Sequence, residues 1–169
     1  MKKALVIIDM QNDFVTGSLA NPDAEAIVNA IVVKINKFDG DIIATRDTHA
    51  ENYLETAEGK RLPVPHCIEN TVGWEIVPEI KAAMEKRSNC RILDKTSFGM
   101  IGPWSLGEYD SVEVVGTCTD ICVVSNVLIL KTAYPNLEIK VHANLCAGLT
   151  PEKHKAALSV MESCQVEII

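Results

Sequence analysis

The segment Gly116-Thr117-Cys118-Thr119-Asp120-Ile121-Cys122-Val123 directly follows the apolar run Val112-Glu113-Val114-Val115. A β-branched run that breaks at Gly, Thr and Asp, then resumes as the apolar stretch 123–130, reads as a strand, a turn and a helix. Cys122 is thereby expected in the helix's first turn, where unpaired backbone N–H groups and the dipole favour negative charge. Such surroundings lower a thiol's pKa and make it a nucleophile. Other strand-like runs also end on reactive groups: the first at Asp9, the second at Arg46-Asp47-Thr48-His49, the third at Asp94-Lys95. Open parallel sheets bind ligands at the carboxyl ends of their strands, so an acid, an Asp/His pair, a lysine and a thiol are expected on one rim. Each has a plain structural reading alone: a strand-end Asp as a turn residue, a lysine in solvent, a cysteine in the core. Together they form a chemical set. Lys95 supplies the positive neighbour of a Cys122 thiolate, and Asp9 takes the thiol proton and returns it to a leaving amine.

The elements that must position this set follow from the pattern of apolar residues. Short apolar runs at 4–8, 41–45, 90–93, 112–115, 137–141 and 166–169 are near-continuous rather than alternating. That is the pattern of parallel strands covered on both faces. Ile27, Ile31, Ile35 and Phe38 recur at helical spacing after Pro22-Asp23, and helices also fit 76–86 and 121–133. Thr150-Pro151-Glu152 supplies an N-cap, a first-turn proline and a first-turn acid for a helix running to about 162. Strands alternating with helices predict a doubly wound α/β sheet. Residues 46–75 break the alternation: they are polar, Pro-rich and without a clear helix, and loops of that length are usually functional or disordered.

The chain has 169 residues, 47% of them hydrophobic and 23% charged, the composition of one globular domain. A net charge of -7 opposes nucleic-acid binding, which needs a basic footprint. No apolar run reaches the length of a membrane span, and Asp9 interrupts the N-terminal run too early for a signal peptide. A cytoplasmic location is expected, with reduced thiols. Its six cysteines contain no Cys-x-x-Cys pair, which leaves no zinc-ribbon or thioredoxin-type motif. Most are expected as small core residues, Cys90 on a strand and Cys164 near a helix end being the plainest cases.

Three motifs in order, Asp9-Met10-Gln11-Asn12-Asp13-Phe14, Asp94-Lys95-Thr96-Ser97-Phe98 and the Gly116–Val123 segment, resemble those of the isochorismatase-like cysteine hydrolases. The resemblance extends over essentially the whole chain, through Ala147-Gly148 and the helix beyond. It implies a three-layer α/β/α sandwich around a six-stranded parallel (Rossmann-like) sheet. It also implies a catalytic triad of Asp9, Lys95 and Cys122, with an oxyanion held by the backbone N–H groups of Cys118 and Cys122 and a cis peptide between Thr117 and Cys118. Asp47-Thr48-His49 and Pro63-Val64-Pro65-His66-Cys67 resemble the nicotinamidase branch, implying one divalent transition metal on Asp47, His49 and His66. One carboxylate and two imidazoles suit zinc, manganese or iron. Glu58 is the preferred fourth ligand, with Glu55 as the alternative and water completing the shell.

The implied activity is nicotinamide hydrolysis to nicotinate and ammonia through a Cys122 thioester, on a small-molecule amide substrate and with no nucleotide cofactor. Phe14 supplies one ring clamp of the substrate pocket. Where such enzymes often carry a second aromatic, this chain has Pro63 beside Leu62, and Trp74, Phe98 or Tyr53 are the candidates to replace it. Two other readings stay open: the same machinery on an N-carbamoyl or ureido amide or an isochorismate-like vinyl ether, and a non-catalytic binding module on this fold. The sequence leaves homo-oligomer formation open.

Overall fold

The computed structural model describes all residues, 1–169. The near-continuous apolar runs become strands buried on both faces, as in β1 (Lys3–Ile8), where every residue after Lys3 is buried. With β2 (Asp41–Asp47), β3 (Cys90–Lys95), β4 (Ser111–Thr117), β5 (Glu138–Ala147) and β6 (Glu167–Ile168), it forms one six-stranded sheet in the order β3-β2-β1-β4-β5-β6. Every pairing is parallel.

Alternate β1 residues feed two cores. Leu5 and Ile7 pack with Ile31 and Ile35 of α2 (Pro22–Lys37, after the short α1, Asn12–Val15) and Ile80 of α4 (Pro78–Glu85). Val6 and Ile8 pack on the opposite face with Val127 and Leu130 of α5 (Val124–Ala133) and Met161 of α6 (Pro151–Ser163). The expected Thr150 cap forms, accepting from Lys153 N at 3.2 Å, and Asn21, just before Pro22, caps α2 by accepting from Asp23 N at 3.0 Å. No helix is long and apolar enough to cross a membrane.

The structure departs from the sequence pattern in ways that bear on the site. β2 and β3 each run two residues past their apolar stretches, so Asp47 and Lys95 are paired strand ends rather than loop residues. A two-pronged ion pair from Arg46 to Asp94, at 2.7 and 3.0 Å, accompanies this extension of the ladder. β5 continues to Ala147 through polar residues, with a register shift against β4 between Val114 and Gly116. The segment expected to lack helix holds a 3-10 turn at Tyr53–Glu55 and α3 (Ala57–Arg61), which Thr56 caps by accepting from Gly59 N at 3.0 Å. All six cysteines are free. Cys90 lies on β3, but Cys164 is exposed rather than core, because it falls past the last turn of α6 on its outer side.

Candidate active site

Lys95 is the centre of the rim. Its Nζ lies 2.7 Å from Asp9 Oδ2, 3.1 Å from Asp47 Oδ1 and 3.6 Å from Cys122 Sγ, and it donates to Ser97 O at 3.0 Å. An ammonium only 2% exposed is tolerable because two carboxylates face it. Burial works against its charge, but Asp9, Cys122 and Asp47 outweigh burial and hold its pKa above the ordinary lysine value.

Asp9 follows β1 in a left-handed conformation, φ 48°, fully buried. Thr45 pins it from both sides, accepting from Asp9 N at 3.2 Å and donating to Oδ1 at 2.6 Å. The Thr45 hydroxyl occupies Oδ1, and Oδ2 faces the Lys95 ammonium. Burial raises the Asp9 pKa above the usual carboxylate value, with Lys95 opposing.

Cys122 does not occupy the first turn of an α-helix. It lies in a wider turn, Thr119–Val123, that precedes α5 and closes with Val123 N donating to Cys118 O at 3.1 Å, five residues back. The Thr117–Cys118 peptide is cis. Cys122 is 5% exposed, and burial together with the Asp9 carboxylate pushes its pKa well above the ordinary thiol value, against the pull of Lys95. The expectation of a depressed thiol pKa is therefore corrected. Desolvation and a neighbouring anion exceed the attraction of the lysine, so the thiol needs a proton acceptor, and Asp9 stands beside it.

Asp47 joins this group to a second one. Its Oδ1 faces Lys95, while Oδ2 lies 3.0 Å from His49 Nε2 and 3.8 Å from His66 Nε2. Burial would raise its pKa, but the His49 hydrogen bond and Lys95 outweigh that and hold it low. Glu58 Oε1 is 3.8 Å from His49 Nε2 and 3.7 Å from His66 Nε2, and donor atoms of all four residues lie within 4.8 Å of one another. His66 Nδ1 is paired with Val64 O at 2.8 Å, which turns Nε2 toward the cluster. Two nitrogens and two carboxylate oxygens converging at this spacing fit a divalent transition metal. Glu55 is exposed and outside the group, so the structure brings Glu58 rather than Glu55 to it.

Beside both groups opens a cavity of about 640 Å³, with Cys122, His66, Glu58 and Asp47 among its lining residues. Its apolar walls include Phe14, whose ring lies 5.5 Å from that of His66, and Leu62, Phe98, Ile121 and Leu149. Of the candidates for the second ring, Phe98 lines this cavity. Trp74 does not: it stacks under Arg46 at 3.4 Å and donates to Thr48 Oγ1 at 2.8 Å. Tyr53 is buried against the imidazoles of His49 and His66, at 4.8 and 5.0 Å. Thr45 and Gln11 were not singled out from sequence. A threonine inside an otherwise apolar strand run, and a glutamine two residues after Asp9, were the available signals.

Sheet and site together define a class: parallel α/β sandwiches whose strand ends join a thiol, an acid and a lysine to a cluster of two imidazoles and two carboxylates. An isochorismatase domain model matches residues 3–169, and the chain belongs to the isochorismatase family. It is 29% identical to a nicotinamidase/pyrazinamidase of Mycobacterium tuberculosis, the match covering 99% of this chain and 98% of the relative. A pyrazinamidase/nicotinamidase structure from Streptococcus mutans superimposes with a TM-score of 0.86 at 28% identity, covering 99% of this chain and all (100%) of that one. A pyrazinamidase of Pyrococcus horikoshii in complex with zinc gives 0.83 at 26% identity, over 100% of this chain and 99% of that one.

Proposed function

We propose that the chain, acting as a single isochorismatase-like domain, is a cysteine amidohydrolase of the nicotinamidase type. It converts a small neutral carboxamide, nicotinamide in the first instance, to the carboxylate and ammonia. The observation that carries this reading is Lys95, one ammonium in contact with Asp9, Asp47 and Cys122. The related enzymes named above lend it their substrate.

In this reading Asp9 accepts the Cys122 proton as the sulfur attacks the amide carbonyl. The backbone N–H groups of Cys118 and Cys122 hold the resulting oxyanion. Asp9 then gives its proton to the amide nitrogen, the C–N bond breaks and ammonia leaves a thioester on Cys122. Water enters, loses a proton to Asp9 and adds to the thioester. Collapse expels the Cys122 thiolate and releases the carboxylic acid, which gives its proton to solvent, and the proton on Asp9 returns to the sulfur. Lys95 keeps its charge throughout and steadies whichever of the Asp9 carboxylate and the Cys122 thiolate is present. Asp47, His49, Glu58 and His66 would hold a divalent metal, zinc, manganese or iron, which when bound supplies a Lewis-acidic anchor for the substrate's ring nitrogen. Phe14 and Phe98 line the cavity that would receive the ring. Six free thiols fit a reducing compartment such as the cytoplasm.

A second reading, an N-carbamoyl or ureido amide as substrate, draws on Pro63, beside Leu62, standing where a second aromatic was expected. The cavity lining favours the first: it includes no arginine and no lysine to receive the carboxylate that N-carbamoyl amino acids and isochorismate carry. Ammonia release from nicotinamide, benzamide and an N-carbamoyl amino acid separates the two readings. Turnover of nicotinamide with none of the N-carbamoyl compound is expected, and the reverse result would replace the first reading by the second. Release from none of them would overturn both amide readings and leave the vinyl ether and binding-module readings.

A further inference from the structure

Between Asp9 and Phe14 lie three polar residues, Gln11, Asn12 and Asp13, to which the proposed chemistry assigns nothing. Gln11 is fully buried. Its Nε2 donates to Asp47 O and to Trp74 O, each at 2.8 Å, and its Oε1 accepts from Asp47 N at 2.7 Å. The reason lies in the ladder. β1 pairs with β2 only as far as Ile7 and Ala44, so the β1-facing side of the Asp47 backbone has no strand to bond. The side-chain amide of Gln11 presents the donor and acceptor of a peptide group where β1 has ended, and Asp47 is held as if the ladder continued. A glutamate there would keep the acceptor and lose the donor.

Asp13 does the corresponding work for the other side of the ligand set. Its Oδ2 accepts at 2.7 Å from the N–H of Cys67, a buried residue in a left-handed conformation, φ 47°, directly after His66. The carbonyl of the same Cys67 accepts from His49 N at 2.9 Å. One residue, Cys67, thus ties Asp13 to the chain at both histidines. Asn12 makes a comparable contact with the same long segment, Nδ2 to Val72 O at 2.7 Å, but at a residue that bears on no donor.

We propose that Gln11 and Asp13 are positioning residues of the metal-ligand set, holding Asp47 and the His49/His66 pair through their backbones. This rests on the metal reading of Asp47, His49, Glu58 and His66. Partners that orient metal ligands typically change affinity by about 10–100-fold when removed.

The test is the zinc dissociation constant, measured by competition with a chromogenic chelator, for wild type, Gln11→Met, Asp13→Asn and Asn12→Ala. The unfolding temperature of each metal-free protein is recorded alongside. Gln11→Met, which keeps length and loses every hydrogen bond, is expected to weaken zinc binding by about 10–100-fold. Asp13→Asn keeps one acceptor oxygen of two and should fall between it and wild type. Asn12→Ala should stay within about twofold of wild type even where it lowers the unfolding temperature, since it is remote from the donors. Wild-type zinc affinity in Gln11→Met and Asp13→Asn, or an equal loss in Asn12→Ala, overturns the proposal. If Gln11→Met does not fold, the comparison of Asp13→Asn with Asn12→Ala decides it alone. A wild-type protein that binds no zinc overturns the metal reading and this inference with it.

Discussion

A buried lysine facing two carboxylates and a thiol has a different meaning from a surface lysine near a strand end. Only the joint occurrence of Asp9, Lys95 and Cys122 made the set legible in the sequence. The resting charge of Cys122 was not legible, because it depends on burial and on Asp9 rather than on the residue's place in a turn. Replacement of the nucleophile is the first expectation at this scale. Cys122→Ala should keep the fold and leave less than about a thousandth of wild-type amide hydrolysis, the loss typical of removing a covalent catalyst. Retention of more would move the role to Cys118, which also lines the cavity. Lys95 is among the groups that lower the Cys122 pKa, so in Lys95→Met the pH profile of Cys122 alkylation should shift to higher pH. Lys95→Arg keeps charge without the compact geometry and should retain partial activity. Superimposable alkylation profiles for wild type and Lys95→Met would remove the lysine from the tuning of the thiol. For Asp9, burial raises the pKa, and the mechanism needs the ionised form to receive the thiol proton. As pH falls Asp9 protonates and the rate is lost, so the acid limb of kcat/KM should lie above the ordinary Asp value of about 3.9. A limb at or below that value would assign it to another group.

Secondary elements carry these side chains to one place, and short ones were the hardest to foresee. α3 has five residues, too few to show a helical period, so the sequence left Glu58 and Glu55 as alternatives. The turn after Thr56 settles which of them faces His49 and His66. The longer helices were legible through their caps and spacing. The extension of β2 and β3 to Asp47 and Lys95 was not, since polar residues carry no strand periodicity and the ladder is fixed by pairing across the sheet. β4 leaves no room for a side chain against β1 at Gly116, whose φ is 125° and where an added Cβ would lie 2.2 Å from Ile8 O. Gly102 has a similar φ of 134° with nothing within 4 Å of such a Cβ. Gly102→Ala should therefore cost only the backbone strain, about 1–3 kcal/mol. Gly116→Ala should cost more by urea denaturation and should also depress activity, because it displaces Ile8 beside Asp9 and the strand that leads to Cys118. Equal losses in the two variants would show that the close approach of β1 and β4 does not limit the site.

At the scale of the molecule, the alternation of apolar strands and helices predicted a doubly wound parallel sheet, but nothing local encodes the strand order. The observed order places β1 between β2 and β4, at the point where the winding reverses, and a crevice opens there at the carboxyl ends. Asp9, Asp47 and the Cys118–Cys122 turn come from those three strand ends, which is why residues far apart in the chain meet at one site, with Asp47, Cys118 and Cys122 lining its cavity. The opposing helices are tied to the sheet in part by charge. Glu113 of β4 accepts from Lys34 of α2 at 2.5 Å and pairs with His142 of β5 at 2.5 Å, its side chain about 20% exposed. Burial would raise its pKa, but the hydrogen bonds of Lys34 and His142 outweigh burial and hold it below the ordinary glutamate value. A carboxylate with a depressed folded-state pKa contributes its full stability above the unfolded value, about 4.3, and loses it as pH falls through the lower folded value. Glu113→Gln should accordingly cost about 1 kcal/mol near neutral pH, a charge-assisted contact reduced by its partial contact with solvent. The gap between variant and wild type should narrow below about pH 4 and close once both states of the wild type are protonated. Urea denaturation at neutral and acid pH measures both ends of that range, and a gap independent of pH would mean that Glu113 holds α2 and β5 by packing rather than by charge.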